Sequence, residues 1–478
     1  MKRLYKPGAR MYNVSIDKEH DRMCRSEEGG HARRTIRPER VLALGFLLLI
    51  LLGAGLLYLP VSVISGVRLS AGEALFTATS AVCVTGLAAV DTGTTFSLFG
   101  QMVLLALIQT GGLGFMVFAT MLMAVLGRRI TLRSRLLLRE SLNAATLSGL
   151  VKLSIWYGLL AMIIEGLGAA LLCIRFVPMF GVGRGIYLAV WHAVSAFCNA
   201  GFDLFGGYRS LTGFGNDPLV QLVMAALIIL GSTGFPVLTD MLVCRLRWQR
   251  FTLHTRLVLI MSGLLLVGGT AAIALLEWEQ PQTLAAYQQP GDRLLNACFQ
   301  SVTMRTAGFN SVPLAPMQDA TKVICILLMI VGANPASTGG GVKTTTVAVL
   351  LLAVRAEIRG EEDVTLFLRR LPAGLIRRAL AVVTVAGMVL LTGTLTIMVL
   401  EGGRIPLVDV LFETASALAT VGVTSAGTPE LTDGSRMILA PMMYLGRVGP
   451  MTLAFALATR QGTRRGRIRY PEEHITIG

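Results

Sequence analysis

The sequence predicts an all-α integral membrane protein. Four tandem repeats of helix, re-entrant pore loop and helix, eight transmembrane helices in all, surround a central pore. Three observations predict this. The 478 residues are 53% hydrophobic and only 15% charged, with a mean hydropathy of +0.65, which excludes disorder and argues against a soluble multidomain enzyme. Four stretches align on one glycine: LFTATSAVCVTGL, VWHAVSAFCNAGF, ACFQSVTMRTAGF and LFETASALATVGV. Each lies between two apolar runs long enough to cross a bilayer, which takes about 20 helical residues.

The paired runs are 41–63 and 101–126, 150–176 and 219–244, 257–278 and 321–352, and 375–400 and 437–458. Between the members of each pair stand only about 11 apolar residues, too few to span, followed by the glycine turn. That length suits a re-entrant half-helix, and exposed backbone after it is tolerated at membrane depth only inside protein or beside water. The aligned glycines, Gly86, Gly201, Gly308 and Gly422, are 115, 107 and 114 residues apart. The repeats are therefore placed at 37–128, 129–245, 246–358 and 359–459. A mobile, polar N-terminal tail covers 1–36 and a basic C-terminal tail 460–478.

Basic residues cluster before the first span (Arg33, Arg34, Arg37, Arg40), between repeats (Arg128 to Arg139, Arg245 to Arg256, Arg355 to Arg378) and in the C-terminal tail. Segments around the half-helices hold acids instead, such as Asp91, Asp203 and Asp217. By the positive-inside rule both termini and all inter-repeat loops are cytoplasmic, and the half-helices enter from outside. The net charge of +15 thus reads as membrane-flanking charge, not as a nucleic-acid surface. The seven cysteines have no metal-ligand spacing and read as small packing residues.

Aligned on glycine, the turns carry Val84-Thr85-Gly86, Asn199-Ala200-Gly201, Thr306-Ala307-Gly308 and Thr420-Val421-Gly422. Their side chains share no chemistry, so the backbone is expected to face the axis. Glycine adopts positive φ cheaply and can turn successive carbonyls toward one line. The C-terminus of a half-helix aimed there adds negative potential. Both favour a cation, and no aligned ring of carboxylates or arginines points to another ion class. One such glycine is usually a helix cap; four at matching offsets predict a filter.

On VCVTGL, FCNAGF, RTAGF and ATVGV, over about residues 40–460, the chain resembles the Trk/Ktr/HKT superfamily of potassium transporters, most closely the membrane subunit of bacterial Ktr systems. The resemblance implies a potassium-channel-like pore in a bacterial cell membrane, with K+ held at the filter. Gly86 in the first turn is the residue that goes with potassium in that family. The resemblance also implies a homodimer and a separate cytoplasmic ring subunit that binds ATP or ADP. It leaves sodium dependence open, and with it a sodium-selective or unselective pore of the same architecture. No cofactor is expected in this chain itself. Nor is an enzyme: there is no phosphate-binding loop, and Glu165 and Glu401 stand too isolated for acid–base chemistry.

The second run of the third repeat contains Ala333, Asn334, Pro335, Ala336, Ser337, Thr338, Gly339, Gly340, Gly341, Val342, Lys343 and Thr344. Three glycines, a proline and hydroxyl residues cannot hold a straight helix. A break in the pore below the filter is expected there, the other three inner spans continuing past the equivalent point. The resemblance makes 333–346 an intramembrane loop that obstructs conduction. Arg447, between Gly446 and Gly449, is costly mid-span and functional by default; the resemblance makes it part of the gate. Arg305 is expected to brace its turn from behind, bonding carbonyls or Glu413. Glu165 needs a buried partner, His192 reads as packing, and Asn199 and Asp203 offer oxygens near the outer mouth.

Overall fold

The computed structural model describes residues 38–114, 117–118, 120–121, 123 and 150–449. Both expected tails, the basic segment after the first repeat and the far ends of the first and last inner spans lie outside the described residues. The first repeat comprises α1 (Pro38–Tyr58), the half-helix α2 (Ala71–Val82) and α3 (Leu98–Leu113). The second comprises α4 (Leu150–Phe180), the half-helix α5 (Val182–Phe197), α6 (Pro218–Thr233) and α7 (Phe235–Val243). The third comprises α8 (Leu253–Glu277), the half-helix α9 (Pro290–Thr303), α10 (Asp319–Ile330) and α11 (Thr344–Ile358). After a short hairpin of β1 (Thr365–Leu366) and β2 (Arg369–Arg370) come α12 (Ala373–Glu401), the half-helix α13 (Leu407–Ala419) and α14 (Asp433–Val448).

The half-helices form the centre. Phe76, Trp191 and Phe412, each ten residues before a turn glycine, are fully buried. The outer helices instead expose Leu44, Leu48 and Leu51 on α1 and Leu167, Leu171 and Ile174 on α4. Apolar faces that wide would be an association surface in water and are the expected one in lipid.

Four described helices are long and apolar enough to span: α4, α8 and α12 in full, and Arg40–Tyr58 of α1. The inner helices depart from the sequence reading. Not only the third repeat breaks; α6 and α7 meet at 98°, and α3, α6 and α14 all end on a glycine. Gly114, Gly234 and Gly449 share φ of 84°, 94° and 90°, with ψ of 129°, 135° and 132°. That conformation ends a helix and is cheap only for glycine. Hydropathy runs straight through these points, so the apolar pattern could not reveal them.

Helix starts are locally encoded. Ser70 and Glu73 form a reciprocal capping box on α2; Ser97, Asp217, Thr252 and Thr432 cap α3, α6, α8 and α14. Two buried glutamates add a second kind of cap. Glu277, at the end of α8, accepts from the Gln318 N–H at 3.0 Å beside the start of α10. Glu401, at the end of α12, accepts from the Thr432 N–H at 2.9 Å and the Ser435 hydroxyl at 2.6 Å at the start of α14. Each carboxylate ties an outer helix to the positive N-terminus of its inner partner. Glu401→Ala leaves these donors buried and unpaired, at a cost of about 2–3 kcal/mol. A lowered thermal unfolding midpoint in detergent, with a smaller drop for Glu401→Gln, is the expected result.

Candidate ion-binding site

Three of the four half-helices end in the same backbone device. In these the first turn residue donates back three residues: Val84 to Ala81, Asn199 to Ala196 and Thr420 to Ala417. The next donates back five: Thr85 to Ser80, Ala200 to Ser195 and Val421 to Ser416, each at 2.8 Å. This is the Schellman pattern of a left-handed cap. The third turn differs, with Ala307 donating to Thr303 at 3.0 Å. In all four the residue two before glycine is left-handed: Val84, Asn199, Thr306 and Thr420 have φ of 55°, 57°, 67° and 53°. The glycines follow at 99°, 71°, 87° and 95°. Left-handed residues flanking one ordinary residue turn consecutive carbonyls to one side. Each non-glycine left-handed residue costs about 1–2 kcal/mol, so the four caps hold strain together.

The turns meet. A Cβ placed on Gly86 would lie 2.6 Å from the Ala200 carbonyl oxygen, and one on Gly201 3.0 Å from that of Ala307. A Cβ on Gly308 would lie 2.7 Å from the Val421 oxygen, and one on Gly422 would collide with the Thr85 oxygen. The circuit closes in repeat order, each glycine against the carbonyl of the next turn. Glycine is thus required twice, for its φ and for the absence of a side chain. The expected filter residues are therefore brought together, and main-chain oxygens stand at the contact.

Serines brace the ring, a role the sequence reading missed. The Ser80 and Ser416 hydroxyls accept from the Gly86 and Gly422 N–H groups at 3.0 Å, and the Ser195 hydroxyl donates to the Phe202 carbonyl at 2.7 Å. The signal was present: all three stand six residues before a turn glycine. A second set of glycines lets the inner helices approach. A Cβ on Gly111, Gly231 or Gly446 would strike the carbonyl oxygen of Val82, Phe197 or Leu418, each four residues before a turn glycine.

On one side of the ring is a cavity of about 410 Å³ bordered by all four turn glycines and by Asp203. On the other side lies the segment joining α10 to α11. It folds on itself through Gly332 N–H to Val342 O at 2.9 Å and Ala333 N–H to Gly340 O at 3.2 Å. It leans on α6 through Asn334 N–H to Ser232 O and Thr338 N–H to Gly231 O, both 3.2 Å. A Cβ on Gly339 or Gly340 would collide with the Thr306 or Thr420 hydroxyl, so these glycines sit directly against the third and fourth turns. The Lys343 ammonium donates to the Gly339 carbonyl at 2.7 Å. The Arg447 guanidinium donates to the Thr338 carbonyl of this segment and to Gly111 and Gly112 at the end of α3, the last at 3.1 Å. One side chain from the fourth repeat thereby links the first and third.

Two expectations about supporting residues need correction. Arg305 does not meet Glu413: its guanidinium donates to Ser262 of α8 at 3.2 Å, while Glu413 accepts from Thr428. Ser262 also accepts from Asn334 at 3.2 Å, so the third turn and the loop share one hydroxyl on an outer helix. Asn199 does not reach the mouth; its amide oxygen accepts from Thr338 at 3.3 Å, on the loop side. The partner of Glu165 is Gln109, whose amide donates to both carboxylate oxygens at 3.1 Å. His192 packs on Phe205, with ring centroids 4.3 Å apart.

A helical membrane protein whose re-entrant turns close a ring of main-chain oxygens is a cation-translocating protein, not an enzyme. The chain belongs to the TrkH family of cation transport proteins, whose family model matches residues 46–464. It is 42% identical over 443 residues to Ktr system potassium uptake protein B of Bacillus subtilis, covering 92% of this chain and 97% of that one. It is 38% identical over 450 residues to the potassium/sodium uptake protein NtpJ of Enterococcus hirae, covering 93% and 98%. The fold matches the crystal structure of the potassium transporter TrkH from Vibrio parahaemolyticus, with a TM-score of 0.69, 18% identity, and coverage of 95% and 92%.

Gly422→Ala forces a side chain against the Thr85 carbonyl at a left-handed position. Strain of about 1–3 kcal/mol there is expected to cut cation flux about tenfold or more in vesicles, with the protein still monodisperse. Ser416→Ala removes only one hydrogen bond to the ring, worth about 1 kcal/mol, and a milder loss is expected in the same assay.

Proposed function

We propose that the chain takes up potassium across a bacterial cell membrane through this ring, down the electrochemical gradient. The observation that carries the reading is the closed circuit of glycines and carbonyls from Thr85, Ala200, Ala307 and Val421. Carbonyl oxygens stand in for an ion's lost hydration without a full negative charge, which suits a monovalent cation. A membrane potential supplies about 2.3 kcal/mol per charge per 100 mV, so a passive pore concentrates potassium without fuel. The names of the Bacillus and Enterococcus relatives support potassium as the ion.

The 333–346 segment and Arg447 form the gate in this reading. The segment lies against the filter turns, and the fixed charge of Arg447 holds it by a carbonyl. Opening requires that bond, or those to Gly111 and Gly112, to break. The likeness to Ktr system proteins supports a regulatory partner subunit; in this reading that partner is cytoplasmic, binds ATP or ADP and drives the movement, and the chain is a homodimer with both termini in the cytoplasm. The basic inter-repeat segments are its docking face. A sodium-admitting filter is the competing reading, favoured by the potassium/sodium name of one relative.

Uptake rescue in a potassium-transport-deficient bacterium tests the function. Growth at low potassium is expected with this chain, and a Gly86→Ser variant is expected to lose preference for potassium over sodium. Equal sodium and potassium flux through the unaltered chain would move the assignment to the competing reading. For the gate, Arg447→Gln and deletion of Gly339–Gly341 are each expected to raise basal potassium flux severalfold in folded, filter-intact protein. Unchanged flux in both would remove this gate.

A further inference from the structure

We propose that an apolar cavity at the seam of the third and fourth repeats binds the hydrocarbon chain of a membrane lipid, and that the bound chain braces the 333–346 segment. The bracing rests on the gate reading above; the binding does not. The cavity has a volume of about 240 Å³. One wall is α12, through Val383, Gly387 and Leu390. Gly341 and Val342 of the segment itself also line it, with Ala419 at the end of a half-helix and Gly446 of α14. No polar or charged side chain lines it.

Three features point to a lipid chain as the occupant. An apolar cavity of roughly 150 Å³ already stays dry and takes a benzene-sized guest, so water is a poor filling for this larger one. Val383, Gly387 and Leu390 are only half-buried, so the cavity is reached past α12. That helix is long and apolar enough to span and exposes Met388, Leu391 and Leu395 alongside. What lies against such a flank in a bilayer is hydrocarbon. The position matters because Gly341 is half-buried and faces the cavity. A chain seated there touches the segment from behind, where it would otherwise be free to withdraw from the turns.

Gly387 gives a clean test, because a Cβ there meets nothing within 4 Å. The full-length protein is reconstituted in vesicles containing a phosphatidylcholine with a photoreactive diazirine midway along one acyl chain. Saturable labelling within 382–390 and at 341–342 is expected. Gly387→Leu fills the space with its own side chain and is expected to lower that labelling about tenfold, the equivalent of roughly two methylene contacts. Gly387→Ala, which leaves most of the space open, is the folding control and keeps the labelling. Basal potassium flux of Gly387→Leu stays at or below that of the unaltered chain, its side chain replacing the brace. Absent labelling, or labelling equal in the leucine variant, overturns the binding. Cross-linking of a cysteine at 383 to a second copy, with labelling only after the copies separate, would give the cavity to that copy and overturn it too. Lost labelling with raised basal flux keeps the site and overturns the brace.

Discussion

The structure depends on four main-chain carbonyls held at close quarters by glycines that leave no room for a side chain. Oxygen dipoles pointing at one centre repel one another, and nothing in the local sequence of any single turn repays that. The restoring forces come from outside. Schellman bonds fix three of the turns to their half-helices, serine hydroxyls pin the N–H groups of Gly86 and Gly422, and inner-helix glycines press against carbonyls near the ends of three half-helices. A cation at the centre relieves the repulsion. The scaffold therefore works to hold an arrangement that the empty ring disfavours.

The same logic extends to the segment behind the ring. A helix broken at membrane depth strands its carbonyls and amides. Here they are satisfied by the segment itself, by Ser232 and Gly231 of a neighbouring inner helix, and by the cationic heads of Lys343 and Arg447. The two cations do for loop carbonyls what a passing ion does for filter carbonyls. Such bonds are strong in a low-dielectric setting, yet they are exchangeable, because water or an ion offers the same carbonyls an equal partner.

Much of this was legible before any coordinates. The turn glycines, the interrupted run near Gly339 and the mid-span Arg447 are punctuation that breaks an apolar pattern, and breaks are what a sequence displays well. The glycine ends of α3, α6 and α14 were visible as residues but not as breaks, since glycine is common in membrane helices. Side-chain pairings were beyond reach. Arg305 was expected to reach carbonyls or Glu413, yet it donates to Ser262, a residue with no mark of its own. Glu401 looked isolated because, beside the nearby Arg404, its partners are a backbone N–H group and hydroxyls of a later helix, which no charge pattern announces.

The four turns lie in one polypeptide and are not identical. In an assembly of four equal chains every alteration is copied four times, and an obstruction attached to one quarter would be attached to all. Here Asn199 can reach toward Thr338 while its counterparts Val84, Thr306 and Thr420 do otherwise. A single quadrant carries the interrupted segment and another carries the arginine that donates to one of its carbonyls. Fusing the quadrants into one gene frees one of them to depart from the pattern while the others keep the oxygen ring in shape, so the ring and the segment behind it can change independently.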